Sequence, residues 1–208
     1  MIRGVVHEAL QQLSDSGLYG TATDFARWLR FKEGWQIEET EVQSALDELL
    51  SAGRLERHSD YPDDYISKDI IKLPDSFDFQ CPRLLSQSPI QFFRSLLSVF
   101  LRQKKVTAEY EIDIVIAAVE AIENAVKYSS PGDVKVHFEL QSGEFHLQII
   151  NSVEPIQPND DVASGKYDSS RTLMRGMMVM SRLFDEMDID IDDATNRAIF
   201  RAKKRVSS

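Results

Sequence analysis

Apolar positions recur at helical spacing three times in the first fifty residues. Val6, Ala9, Leu10 and Leu13 mark one face of a first helix, ended by the polar run 14–17. Ala22, Phe25, Ala26 and Leu29 repeat the pattern, with Thr21 or Thr23 available as N-cap. Val42, Ala45, Leu46, Leu49 and Leu50 mark a third helix, for which Thr40 and Gln43 have capping-box spacing and Gly53 stands as the C-terminal stop. Residues 54–66, with a Tyr61-Pro62-Asp63-Asp64 turn, predict a short hairpin.

The second part of the chain opens on a mixed stretch, residues 68–81, read as a linker entering an edge strand, with a domain boundary near residue 70. Phe92, Phe93, Leu96, Leu97 and Phe100 then fit a helix beginning at Pro89, and its basic end, 102–105, suits a helix C-terminus. A longer helix is expected over 107–129, halted by Ser130-Pro131-Gly132. The period changes to two at Val134, Val136, Phe138 and Leu140, and again at Phe145, Leu147 and Ile149, which predicts an antiparallel hairpin turning at Gly143. The polar stretch 153–170 is long for a compact domain and reads as a functional lid or a disordered segment. A helix over 171–184, capped by Ser169 or Ser170, and a hairpin carrying Met187, Ile189, Ile191, Ala198, Phe200 and Ala202 complete the chain. Helices packed on one face of a mixed or antiparallel sheet give an α+β fold, a two-layer sandwich preceded by a smaller helical domain.

Composition adds the setting. The chain has 208 residues, a formal net charge of −10 and a single cysteine, Cys81, which cannot close an internal disulfide. No apolar run approaches the roughly 18 residues of a membrane helix. The first residues, MIRGVVHEALQQLSDSG, lack the apolar block of a signal peptide, so the expected location is cytoplasmic. Residues 1–66 carry six basic and thirteen acidic side chains, a net of −7 that leaves −3 for the remainder. Three helices and a small hairpin resemble a winged-helix domain, which often places its third helix in the DNA major groove. Here that helix holds Glu38, Glu39, Glu41, Asp47 and Glu48 and no basic residue, an electrostatic mismatch with phosphate. Nucleic acid is therefore disfavoured, and residues 1–70 are expected to serve protein interaction or dimerisation, with Trp28 and Trp35 as contact anchors or as core.

Polar groups break the apolar pattern at one place in the long helix. Glu120 and Asn124 are four residues apart, and with Lys127, Asp113 and Ala117 they fall on one stripe. A carboxylate and an amide beside small side chains suit a hydrated cation and a flat ligand; the alternative is a water-exposed helix edge. His137 and His146 fall on the polar face of the hairpin, and two imidazoles without a third ligand are poor grounds for a metal. Methionines concentrate in 174–187, suiting an irregular core or an adaptable surface.

The segment VEAIENAVKYSS, the SRLFDEMDI segment at 181–189 and the order of elements resemble the histidine-kinase-like ATP-binding fold. Within it, the similarity is to the serine kinases that act as bacterial anti-sigma factors, and it covers residues 73–204, within a domain placed at 71–208. The resemblance implies ATP and Mg²⁺ as cofactors and Asn124 as the metal ligand. It implies Glu120 as the group that orients or deprotonates a partner's serine hydroxyl, and Lys127 as a neutraliser of phosphate charge. Asn151 stands where the family has an aspartate for the adenine amino group, and Val153 and Pro155 replace the glycines that follow it. The second glycine box, 172–176, retains Gly176, with Arg171 and Arg175 placed to attract phosphate. The implied function is partner switching with a sigma factor or an anti-anti-sigma-like protein, possible as a homodimer, with weak or lost ATP binding. Active serine kinase and winged-helix transcription regulator are the alternatives.

Overall fold

The computed structural model describes residues 2–69, 71–81, 89–129, 133–153, 176–192 and 194–206. The chain divides into two compact units: Met1–Pro74 with Leu85–Gln103, and Asp75–Leu84 with Lys104–Ser208.

The first unit contains α1 (Ile2–Asp15), α2 (Ala22–Glu33), α3 (Glu39–Ser51), the antiparallel pair β1 (Leu55–Arg57) and β2 (Tyr65–Ser67), and α4 (Pro89–Gln103). Its core is built from the periodic positions: Leu10, Phe25, Trp28, Leu29 and Leu46 are fully buried. Thr21 is the N-cap of α2. Its hydroxyl accepts the Asp24 N–H at 3.3 Å, and the Asp24 carboxylate accepts the Thr21 N–H at 3.1 Å. The start of α3 differs from the expected Thr40–Gln43 box. The N-cap is Glu38, and Glu41 reaches back to the Glu38 N–H at 3.2 Å. Ile37 and Val42, at the staple positions flanking this cap, are both buried, and that burial moves the start ahead of Thr40. Gly53, at φ +69°, follows Ala52 and supplies the left-handed stop.

Helix α4 is fixed within this unit by polar anchors as well as by its apolar face. Ser95 donates to Asp24 at 2.6 Å, so one carboxylate both caps α2 and holds α4. Arg102 pairs with Asp64 at 3.3 Å and lies over the Tyr61 ring at 4.3 Å. Burial pushes the Asp64 carboxyl above its ordinary range, and the Arg102 charge opposes that shift. Gln103 donates to the Gly17 carbonyl at 2.7 Å and accepts the Leu73 N–H at 2.8 Å. Phe92 stacks on Phe31 at 4.5 Å.

The second unit is a five-stranded sheet of order β3-β4-β5-β7-β6, in which every neighbouring pair is antiparallel. Its strands are β3 (Ser76–Cys81), β4 (Val134–Gln141), β5 (Glu144–Ser152), β6 (Glu186–Asp192) and β7 (Arg197–Arg205). β3 is an edge strand, as the composition of 68–81 suggests. Ser142 and Gly143, both at positive φ, make the two-residue turn between β4 and β5. The register places Val136, Ile149, Phe200 and Ile189 in one row across four strands, and Phe138, Leu147 and Ala202 in the next. Helix α5 (Ala108–Tyr128) packs on β4 and β5 through Ile114, Ala118, Ala121, Ile122 and Val126. Of the helix expected over 171–184, residues 176–183 are helical, and 171–175 lie outside the described residues, as does the expected lid beyond Val153. Met180 joins the core and Met178 is exposed, so the methionine-rich segment divides between the two roles. Cys81 is buried, which pushes its thiol up to about 11 and keeps it protonated. Among the described residues, no helix is long and apolar enough to cross a membrane.

Candidate functional site

Helical repeat alone sets Glu120 and Asn124 one turn apart on α5, both half-buried. Small neighbours on the helix, Ala117 and Ala121, keep the space beside them open to close approach of backbone. Gly176 fills it. A Cβ added at Gly176 would come within 2.6 Å of the Asn124 Nδ2 and would also collide with the Glu120 carboxylate. The atoms met are the ends of two flexible side chains, which an added Cβ would displace. The Asn124 Nδ2 is buried and has no hydrogen-bond partner among the described residues, which leaves an amide donor unsatisfied at a cost of about 1–3 kcal/mol.

This orphaned group yields a testable sign. Replacing Asn124 with Ala removes the unsatisfied donor and improves helix propensity by about 0.5 kcal/mol. The apo protein should therefore gain on the order of 1 kcal/mol, or about 2–4 °C in melting temperature. A comparable loss, measured by calorimetric melting, would show that Asn124 has a structural partner.

The remaining predicted residues are placed less closely. Lys127 is exposed, with Nζ 5.1 Å from the Tyr128 ring centroid. Asp113 shares the stripe but stands 4.0 Å from Lys204, whose Nζ is also 3.5 Å from Asp185. Asn151, in β5, is buried on the face that carries Phe145, Leu147 and Ile149, in register with Ala198 of β7. Its Nδ2 donates to the Ser152 carbonyl at 3.4 Å. The Val153 N–H is taken by the Asn196 carbonyl at 2.9 Å. Arg171 and Arg175 lie outside the described residues. The structure thus brings Glu120, Asn124 and Gly176 together. Their contact was not legible in sequence, because it depends on how two separate helical segments meet.

The two histidines take carboxylate partners. His137 Nδ1 is 3.0 Å from Asp78, and His146 Nε2 is 2.9 Å from Glu144. Among the described residues, no cluster of three or more metal-ligating side chains occurs.

An antiparallel sheet with a long helix carrying a paired carboxylate and amide, and a glycine against that pair, make an α+β domain with one candidate polar site. The sequence profile described as the histidine kinase-like ATPase domain matches residues 88–202, more than half of the chain. The chain belongs to that family, which includes anti-sigma-factor serine kinases. A search of curated proteins found no match. The solved structures to which the chain is similar include two described as follows. One is described as the SiaB-SiaC complex from Pseudomonas aeruginosa: 14% identity, 83% of this chain and 100% of that one covered, TM-score 0.44. The other is the Acinetobacter baumannii histidine kinase AdeS: 12% identity, 89% and 94% covered, TM-score 0.34. The family assignment rests on the profile match. That match begins at residue 88 and so takes in α4, which clusters with the N-terminal unit.

Proposed function

We propose that the chain is a bacterial regulatory protein that works by exchanging protein partners, with nucleotide binding weakened relative to the kinases of its family. The observation that carries this reading is Asn151, buried in β5 where the family resemblance would put an aspartate. A neutral amide offers a weaker acceptor than a carboxylate to an adenine amino group, by about 1–2 kcal/mol. The replacement of glycine by Val153 brings a side chain where backbone would otherwise approach the ligand.

A second reading, active serine kinase, is favoured by one observation: the unpartnered Asn124 amide, a polar group retained at a stability cost. The donor set suits Mg²⁺-ATP in that reading. Asn124 would offer its side-chain oxygen to the metal, and Glu120 would hold or accept the proton of an incoming hydroxyl. Mg²⁺-ATP would supply the phosphoryl group. Calorimetric titration of the full-length protein with ATP and Mg²⁺ separates the two readings.

For the N-terminal unit, the three helices and the β1–β2 pair support a winged-helix-like arrangement used for protein docking. On α3, Glu39, Glu41, Asp47 and Glu48 are exposed. The nearby basic group, Arg57, is 3.6 Å from Asp47 and stacks on Tyr65 at 3.7 Å. Hydrogen bonds from Tyr65 and Gln43 hold the Asp47 carboxyl below its usual range, so the face remains anionic at neutral pH. Such a face repels duplex DNA and suits a cationic protein surface.

A further inference from the structure

The N-terminal unit has a cavity of about 780 Å³ between α1, α3 and the segment joining α2 to α3. Its apolar side is formed by Val5, Val6, Trp35, Ile37 and Ala45, and its rim by Glu41 and Glu48. A second, shallower depression along α3 shares Thr40, Ser44 and Glu48 with the first and continues through Asp47 to Ser51. Together they form a groove that follows α3 from Thr40 to Ser51, about 16 Å at the helical rise, or three turns of a helix laid alongside. Val5 is half-exposed at its edge although it is aliphatic, and Trp35 is incompletely buried, whereas Trp28 is fully buried.

Charge decides what can occupy this groove. The carboxylates of Glu41, Asp47 and Glu48 border it. Of the basic side chains near it, His7 Nε2 stands 3.1 Å from Glu48, Lys32 lies 6.0 Å from the Phe92 ring centroid, and Arg30 spends its guanidinium on the Ile37 carbonyl at 2.6 and 3.0 Å. A second copy of this chain would set the same carboxylates against each other. An anionic ligand meets the same repulsion. We propose that the groove docks a basic amphipathic helix from a partner protein. Apolar side chains at i and i+4 enter beside Val5, Trp35 and Ile37, and Lys or Arg residues face Glu41, Asp47 and Glu48. This inference rests on the docking role of the N-terminal unit and specifies its face and the chemistry of its partner.

The test is selection of helical 16-residue peptides from a displayed random library on immobilised full-length protein, followed by binding of the synthetic peptides to four proteins. These are the wild type, Ser44→Trp, Glu48→Lys and Glu33→Lys, each checked for an unchanged melting profile. Glu33 is exposed at the end of α2, outside the groove, and reports on general charge attraction. The expected peptides carry net positive charge with paired apolar residues and shift the Trp35 emission. Ser44→Trp and Glu48→Lys weaken them by about tenfold or more, and Glu33→Lys by less than about threefold. Neutral or acidic peptides, or equal losses in Glu33→Lys and Glu48→Lys, overturn the groove. Peptides that bind the protein but ignore Ser44→Trp also overturn it, while leaving a docking role elsewhere on the unit intact. Failure to select any peptide removes both.

Discussion

Residues 71–208, expressed without the N-terminal helices, are expected to aggregate or to melt without a cooperative transition. The fragment keeps the whole sheet and α5, so by family resemblance it is the natural piece to isolate. Its weakness is α4. Deletion removes Asp24 and Asp64, the partners of Ser95 and Arg102, and removes Gly17, which accepts from Gln103. It also removes Phe31 from the face of Phe92. Each lost hydrogen bond is worth about 1 kcal/mol, and each newly wet aromatic or aliphatic side chain about 1.5–3 kcal/mol. The sum is on the order of 5–10 kcal/mol, comparable with the entire stability of a domain. Light scattering and calorimetric melting read the result. A monomeric fragment melting within a few degrees of the full chain would show that α4 does not depend on the N-terminal helices.

The second large effect is expected at Gly17, in the turn that leaves α1. Its φ is +95°, and a Cβ there would stand 2.5 Å from the Ile71 carbonyl oxygen and 3.0 Å from Leu73 Cδ2. The first obstacle is backbone, which has no rotamer with which to move away. Adding the cost of a positive φ, about 1–2 kcal/mol, to the steric shift gives a loss of about 2–4 kcal/mol for Gly17→Ala. The melting temperature should fall by about 5–10 °C. Gly53→Ala is the internal comparison: its φ is also positive, but the nearest atom is the end of the Lys68 side chain at 3.7 Å. The backbone cost alone remains there, and the loss should be the smaller of the two.

Local pattern made most elements readable. Period 3.6 marked α1 to α5, and period 2 marked β4, β5 and β7, because one face of each is committed to core and its spacing survives in the sequence; β6 alternates too, although Ile189 and Ile191 are exposed. The Thr40–Gln43 box failed because a second pair, Glu38 and Glu41, has the same spacing, and burial of Ile37 and Val42 at the staple positions fixes the start of α3 at Glu38. The attachment of α4 to the first unit was also hidden, since Asp24, Asp64 and Gly17 are distant along the chain from Ser95, Arg102 and Gln103. At the candidate site, i and i+4 spacing sufficed to pair Glu120 with Asn124. It grouped Asp113 and Lys127 with them, yet Asp113 lies beside Lys204 and Lys127 beside its neighbour Tyr128. Helical spacing gives a shared face; it says nothing of which cations fold back to neutralise it.

In the proposed reading, Glu120 and Asn124 persist in a nucleotide site whose walls at Asn151 and Val153 have been altered. Loss of the carboxylate at Asn151 is worth about tenfold in affinity, and crowding at Val153 should cost at least as much again. Calorimetric titration of the full-length protein with ATP and Mg²⁺ tests this most directly. The expected dissociation constant is about 0.1 mM or weaker, on the order of −5 kcal/mol or less favourable. Binding at about 1 µM that disappears in Asn124→Ala would contradict it and assign the chain to the active kinases of its family.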